Sequence, residues 1–140
     1  MQIREIMKKV ADLVTCVPGE SVMDAAKKMD RHHVGCVLIT ENGSLRGILT
    51  DRDITLPIVA TGKNPRDTQV RELMKTGVIT GAPDWDLFQA TQLMANKRIR
   101  RLPIQIDGRL QGFVSLADLA PVVRKELDSF LAIEGGAVSH

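Results

Sequence analysis

Apolar residues recur at helical spacing at Val22, Ala25, Ala26 and Met29, behind Ser21-Val22-Met23-Asp24, which has the form of an N-cap with an acceptor three residues on. Asp86-Leu87-Phe88-Gln89 opens a second stretch in the same way. After each predicted helix comes an apolar, β-rich run, "VGCVLI" or "IRRLPIQI". A turn follows at Asn42-Gly43 or Asp107-Gly108, and then a second run, "LRGILT" or "LQGFVS". The pattern predicts two hairpins. Thr50 and Ser115 then cap a second helix whose third residue is Asp53 or Asp118. Gly62 ends that helix in the first stretch, and Pro121 is expected to interrupt it in the second. The predicted order is short strand, helix, two strands, helix, written twice.

The two stretches are copies of one another. Displaced by 65 positions, Thr15 to Ile54 aligns with Thr80 to Leu119 without a gap. Identities include Thr15/Thr80, Pro18/Pro83, Gly43/Gly108, Gly47/Gly112 and Asp53/Asp118. Upstream, "REIMK" from Arg4 matches "RELMK" from Arg71, with two residues fewer before the second body. A unit repeated only twice cannot make a solenoid, which needs three or more copies to bury its faces. Two copies about a pseudo-twofold axis make one small core. With 140 residues, the chain has room for one such domain and not for two large independent ones.

Composition narrows the class further. Hydrophobic residues make up 44% and charged residues 26%, the usage of an ordinary globular domain. Apolar runs fall far short of a bilayer span, and "MQIREIMKK" lacks the apolar core of a secretion signal. A cytoplasmic location is expected, and Cys16 and Cys36, in apolar surroundings, read as free thiols in a reducing compartment, with a disulfide as the alternative. A net charge of +2 and a chain without tyrosine argue against nucleic acid, for which the Lys97 to Arg101 cluster is the one basic candidate.

The repeated hydroxyl and acid admit two readings. A Ser or Thr followed three residues later by Asp is a capping box that needs no ligand. The same helix N-terminus offers unpaired N–H groups and partial positive charge to a phosphate, with the Thr50 or Ser115 hydroxyl as a further donor. Asp53 and Asp118 would repel a phosphate but accept hydrogen bonds from ribose hydroxyls. Gly47 and Gly112 are expected to leave room for a base or sugar.

These features resemble a tandem pair of CBS motifs, the Bateman module. The likeness rests on "GILTDRDI" and "GFVSLADL" and on the Met-Lys segments before each unit, and it extends from about Met1 to Pro121. It implies an α/β (α+β) fold of two pseudo-twofold-related β-α-β-β-α motifs packed through their sheets, at residues 4–62 and 71–121. It also implies two clefts for adenosyl ligands: AMP, ADP, ATP, NAD or S-adenosylmethionine. By the same likeness Asp53 and Asp118 hold ribose, Thr50 and Ser115 approach ribose or phosphate, and Arg100 and Arg101 contact phosphates. The positions aligned with that arginine pair are Gly35 and Cys36, so unequal clefts are expected. Arg52, replaced by Ala117 in the second unit, is a further phosphate candidate, and Thr15 and Thr80 are candidate base or sugar contacts.

Other chemistry has little support. His32 and His33 are adjacent and point apart on a helix end, and with Cys36 they make no tetrahedral metal set. No nucleophile with its base and orienting acid is recognisable, and no Walker-type or dinucleotide-type glycine loop is present. A non-catalytic regulatory module is expected, with an unidentified effector protein as its listener; the alternative is a ligand-free scaffold with vestigial clefts. Beyond Pro121, Val123, Leu127, Phe130 and Leu131 share one face of a predicted C-terminal amphipathic helix at 122–134, before a tail at 135–140. That face suggests a homodimer.

Overall fold

The structure, a computed structural model, describes the backbone of residues 1–138 and side chains through Ile133. Among the described residues the helices and hairpins of both units form in the order predicted by the repeat, and a short strand and a short helix are added in the segments that lead into the units. In the first unit β2 (Thr15–Cys16) leads through α1 (Val22–His32) to the hairpin β3 (Cys36–Glu41) and β4 (Ser44–Thr50), and then to α2 (Asp51–Thr61). In the second, α4 (Leu87–Lys97) precedes β5 (Arg101–Ile106) and β6 (Arg109–Ser115), followed by α5 (Leu116–Val138). The opening strand of the second unit shrinks to one parallel bridge, Gly81 to Ile104, at the position matching Cys16 to Ile39 in β2 and β3.

The caps behave as their sequences demand. Ser21 Oγ accepts from the Asp24 N–H at 3.1 Å, and Asp86 Oδ1 accepts from that of Gln89 at 2.8 Å. Both hairpin turns put two successive residues at positive φ, Asn42-Gly43 and Asp107-Gly108, the requirement of a two-residue type I′ turn. The halves join where these turns meet. Ser44 pairs with Arg109, and the Leu45 and Leu110 N–H groups donate to the Gly108 and Gly43 carbonyls at 2.9 and 3.1 Å. The pseudo-twofold axis passes through this bridge.

β3 and β5 bury both faces, so their sequences are continuous apolar runs. Val37 and Ile39 pack under α1 with Ala25, Met29 and Leu49, and Leu102 and Ile104 pack under α4 with Ala90 and Met94. Leu38, Ile48, Leu110 and Phe113 fill the space between the two units. The core is therefore two helix-on-sheet layers sealed by a smaller central cluster.

The segments that lead into the units cross over. β1 (Lys8–Lys9) pairs with β6 of the second unit, Lys8 opposite Phe113, and Ile3 lies in that unit's core. α3 (Val70–Leu73) sends Val70 into the first unit's core, and Lys75 exchanges hydrogen bonds of 2.9 and 3.0 Å with Ile48 of β4. The crossing backbone occupies the space that sequence reasoning reserved beside Gly47 and Gly112. A Cβ at Gly47 would stand 2.6 Å from the Lys75 carbonyl oxygen, and one at Gly112 2.6 Å from that of Lys8. These glycines admit protein backbone, not a sugar.

The C-terminal region also departs from expectation. Pro121 interrupts nothing: α5 runs without a break from Leu116 to Val138, absorbing the separate helix expected at 122–134 and most of the tail expected at 135–140. Proline removes the hydrogen bond to the Ala117 carbonyl, but Ala117 and Pro121 are both exposed, so water can satisfy that oxygen. Ser139 and His140 lie outside the described residues.

Beside β2, Lys28 holds the Thr15 carbonyl at 2.9 Å and pairs with Glu20 at 2.9 Å. Burial pushes the Glu20 carboxyl up, but the hydrogen bond from Lys28 and the Val17 N–H outweigh it and hold it below the ordinary range. Burial, with Glu20 alongside, pushes the Cys16 thiol up to about 12 and keeps it neutral.

Two outcomes are expected in urea denaturation. Gly47→Ala and Gly112→Ala should each cost about 1–3 kcal/mol through overpacking against the crossing segment; wild-type stability in both would contradict the crossing. Because the folded-state pKa of Glu20 is depressed, its contribution is fully present above its unfolded pKa and lost as pH falls through the folded value. The difference between wild type and Glu20→Gln, about 1 kcal/mol or less for this partly exposed pair, should therefore vanish on acidification. A difference that grows toward low pH would contradict the pairing.

Candidate functional site

Thr50 and Ser115 end β4 and β6 at the same height and cap α2 and α5. The capping boxes are complete. Thr50 Oγ1 accepts from the Asp53 N–H at 3.1 Å, and Asp53 Oδ2 accepts from the Thr50 N–H at 2.9 Å. The Ser115–Asp118 distances are 3.2 and 3.1 Å. In the first unit the other oxygen, Asp53 Oδ1, lies 3.4 Å from Lys75 Nζ, and the Asp53 side chain is only 12% exposed. The crossing segment thus brings a cation to the first helix N-terminus.

A cleft of about 460 Å³ opens there. Ile48 and Thr50 of the first unit form one wall, the crossing segment 75–79 the floor, and residues 98–101 of the second unit the opposite wall. Arg98 is the left-handed C-cap of α4, at φ 53°, and turns the chain so that Ile99, Arg100 and Arg101 enter β5 along the cleft. Lys75, Arg98, Arg100 and Arg101 all line it, and among the described residues no carboxylate does. Concave walls concentrate such a field, so the cleft is built for anions.

The pseudo-twofold generates a second cleft of about 380 Å³. Phe113 and Ser115 replace Ile48 and Thr50, the segment from Lys8 to Val14 replaces the floor, and residues 33–36 replace the arginine wall. His33, Val34, Gly35 and Cys36 stand where the first cleft has Arg98, Ile99, Arg100 and Arg101, and Asp12 adds a carboxylate. This cleft is the less basic one. Arg101 nevertheless lines it too. Burial pushes the Cys36 thiol up, and the adjacent Arg101 guanidinium partly offsets the push.

Thr50, Arg100 and Arg101 therefore meet in the first cleft, and Ser115 and Arg101 in the second. Asp53 and Asp118 sit behind their hydroxyls, each with one oxygen committed to its capping box. Arg52 is exposed, and neither cleft includes it. Thr15, in β2, lines neither cleft although the preceding Val14 lines the second, and the Thr80 hydroxyl accepts from Gln105 Nε2 at 2.8 Å. Sequence reasoning missed Lys75, Lys8 and Arg98. The "REIMK" and "RELMK" match contained the two lysines, but nothing in it says that each segment serves the other unit. Among the described residues, no group of three or more His, Cys, Asp or Glu is placed to hold a metal ion. No helix among them is long and apolar enough to cross a membrane.

Two like units with clefts shared across a pseudo-twofold axis define a tandem module of paired α/β motifs. Sequence comparison finds the CBS domain twice, at residues 3–59 and 70–125, and the chain belongs to the CBS-domain family. It is 44% identical over 108 residues to the CBS domain-containing protein YhcV of Bacillus subtilis, covering 77% of this chain and 76% of that one. The crystal structure of hypoxic response protein I with two coordinated zinc ions superposes with a TM-score of 0.75 at 29% identity, over 86% of this chain and 98% of the other. The crystal structure of CBSX2 in complex with AMP shares the fold, with a TM-score of 0.76 at 20% identity, over 89% of this chain and 96% of the other.

Proposed function

We propose that this chain is a non-catalytic regulatory module that binds an adenine nucleotide across its two units and signals to an effector protein by conformational change. The observation that carries the reading is the first cleft. It joins the capped N-terminus of α2 in one unit to Lys75, Arg98, Arg100 and Arg101 from the crossing segment and the second unit. A phosphate would take the Thr50 hydroxyl and the arginines, and ribose hydroxyls would turn to Oδ1 of Asp53, the oxygen outside the capping box. Ser115 and Asp118 offer the same pair in the second cleft. Four cations and no lining carboxylate favour AMP, ADP, ATP or NAD over S-adenosylmethionine, whose sulfonium is positive. The AMP complex of CBSX2, a protein of the same fold, is in keeping with this ligand class.

A ligand that touches both units favours the relative arrangement to which it binds more tightly, by no more than its differential affinity. The effector protein would read that arrangement. Two free cysteines are in keeping with a cytoplasmic setting. A second reading has its own support: both capping boxes are satisfied without any ligand, as a scaffold with vestigial clefts requires.

We also propose a homodimer. α5 exposes Val123, Leu127, Phe130, Leu131 and Ile133, the last 72% exposed, and α2 exposes Leu56 and Val59. A second copy would cover this apolar surface.

Thermal unfolding with AMP, ADP, ATP, NAD and S-adenosylmethionine separates the two functional readings. A nucleotide at about 100 times its Kd adds roughly 2.7 kcal/mol and raises Tm by several degrees. Asp53→Asn, which retains a capping side chain, should abolish most of the shift if the first cleft is the site. No shift with any of the five, in protein freed of copurified ligand, would leave the scaffold. Light scattering at micromolar protein should give twice the chain mass, and a monomer would remove the dimer.

A further inference from the structure

Among the described residues, Arg101 alone lines both clefts. Its backbone begins β5 on the wall of the first cleft, yet its guanidinium reaches across the pseudo-twofold to the first unit. Nη2 stands 3.5 Å from the point where a side chain at Gly35 would begin, within ordinary contact distance of that residue. Oδ2 of Asp51, the first residue of α2, lies 3.6 Å from the same point. At the position equivalent to Arg101 the first unit has Cys36, which carries no charge to send back.

At this position the exchange between the units runs one way: Arg101 crosses, and nothing crosses back. Arg98 and Arg100 line the first cleft alone, whereas in the second Arg101 is the only arginine, beside Lys8 and His33 and opposed by Asp12. We propose that the two clefts share the Arg101 guanidinium, so that a phosphate-bearing ligand in one cleft weakens the binding of a second in the other. This inference rests on the nucleotide reading for its ligand class, but its physical core is the sharing of one cation between two anion sites. A guanidinium bound bidentately to a phosphate has its donors fixed in that direction and cannot serve the opposite cleft. The chain would then hold one such ligand at full strength and the next roughly tenfold more weakly, which is about 1.4 kcal/mol of coupling. A ligand without phosphate would escape the effect.

The test is a site-resolved titration of the full ¹⁵N-labelled chain with AMP, ADP, ATP and NAD and, separately, with inorganic pyrophosphate. The amides of Thr76 and Gly77 report the first cleft and those of Val34 and Gly35 the second. Sharing predicts that filling the tighter cleft moves the midpoint of the other roughly tenfold upward, and that Arg101→Ala weakens both. Cys36→Arg, which gives the first unit its own guanidinium, should bring the weaker midpoint back by a similar factor. Arg101 is exposed, so its removal should leave the amide spectrum of the core intact. Independent single-site curves in the wild type, or an Arg101→Ala effect confined to one cleft, would overturn the sharing while leaving nucleotide binding in place. Coupled curves with pyrophosphate and no response to AMP, ADP, ATP or NAD would overturn the nucleotide reading and leave the shared cation. No response to any of these or to pyrophosphate would overturn both.

Discussion

Two backbones pass each other at a distance that no side chain tolerates. The Lys75 carbonyl lies against Gly47 and the Lys8 carbonyl against Gly112, each 2.6 Å from where a Cβ would stand. Because the contact is made between units, neither unit is complete alone: Ile3 fills the core of the second and Val70 that of the first. The crossing also shapes the clefts. Each takes its floor from a crossing segment, its hydroxyl from one unit and its far wall from the other, so each is built from both units.

Electrostatics then separates two sites that backbone geometry makes equal. His33 and Arg98 end α1 and α4 in the same left-handed conformation, at φ 54° and 53°, and each directs the next three residues along a cleft wall. In one copy those residues are Ile99, Arg100 and Arg101, and in the other Val34, Gly35 and Cys36. The backbone is duplicated while the charge is not. One fold thereby carries a strongly basic cleft and a weakly basic one, and it does so without disturbing the capping boxes on which α2 and α5 depend.

Most of the fold was legible because the repeat doubles every local signal. N-caps at Ser21 and Asp86, turns at Asn42-Gly43 and Asp107-Gly108, and the Gly62 terminus each follow from short-range chemistry that needs no tertiary context. Hidden features were those in which residues far apart in sequence meet. A glycine inside a strand indicates close approach but not by what, so Gly47 and Gly112 were assigned to a ligand when crossing backbone fills the space. Lys75 was invisible for the same reason. Pro121 shows the opposite limit: a helix-breaking residue is tolerated where the carbonyl it orphans faces water. Of the expected site residues, Thr50, Ser115, Arg100 and Arg101 come together at the clefts because strand ends and helix caps fix them. Thr15 and Thr80 do not, because strand position alone says nothing of which way a hydroxyl turns.

A crystal structure of the chain grown with AMP addresses the central claim most directly. The account predicts AMP in the first cleft, its phosphate within hydrogen-bonding distance of the Thr50 hydroxyl and of Arg100 or Arg101, and its ribose against Asp53. Well-ordered crystals grown in excess AMP with both clefts empty, or with AMP bound only elsewhere on the surface, would contradict it.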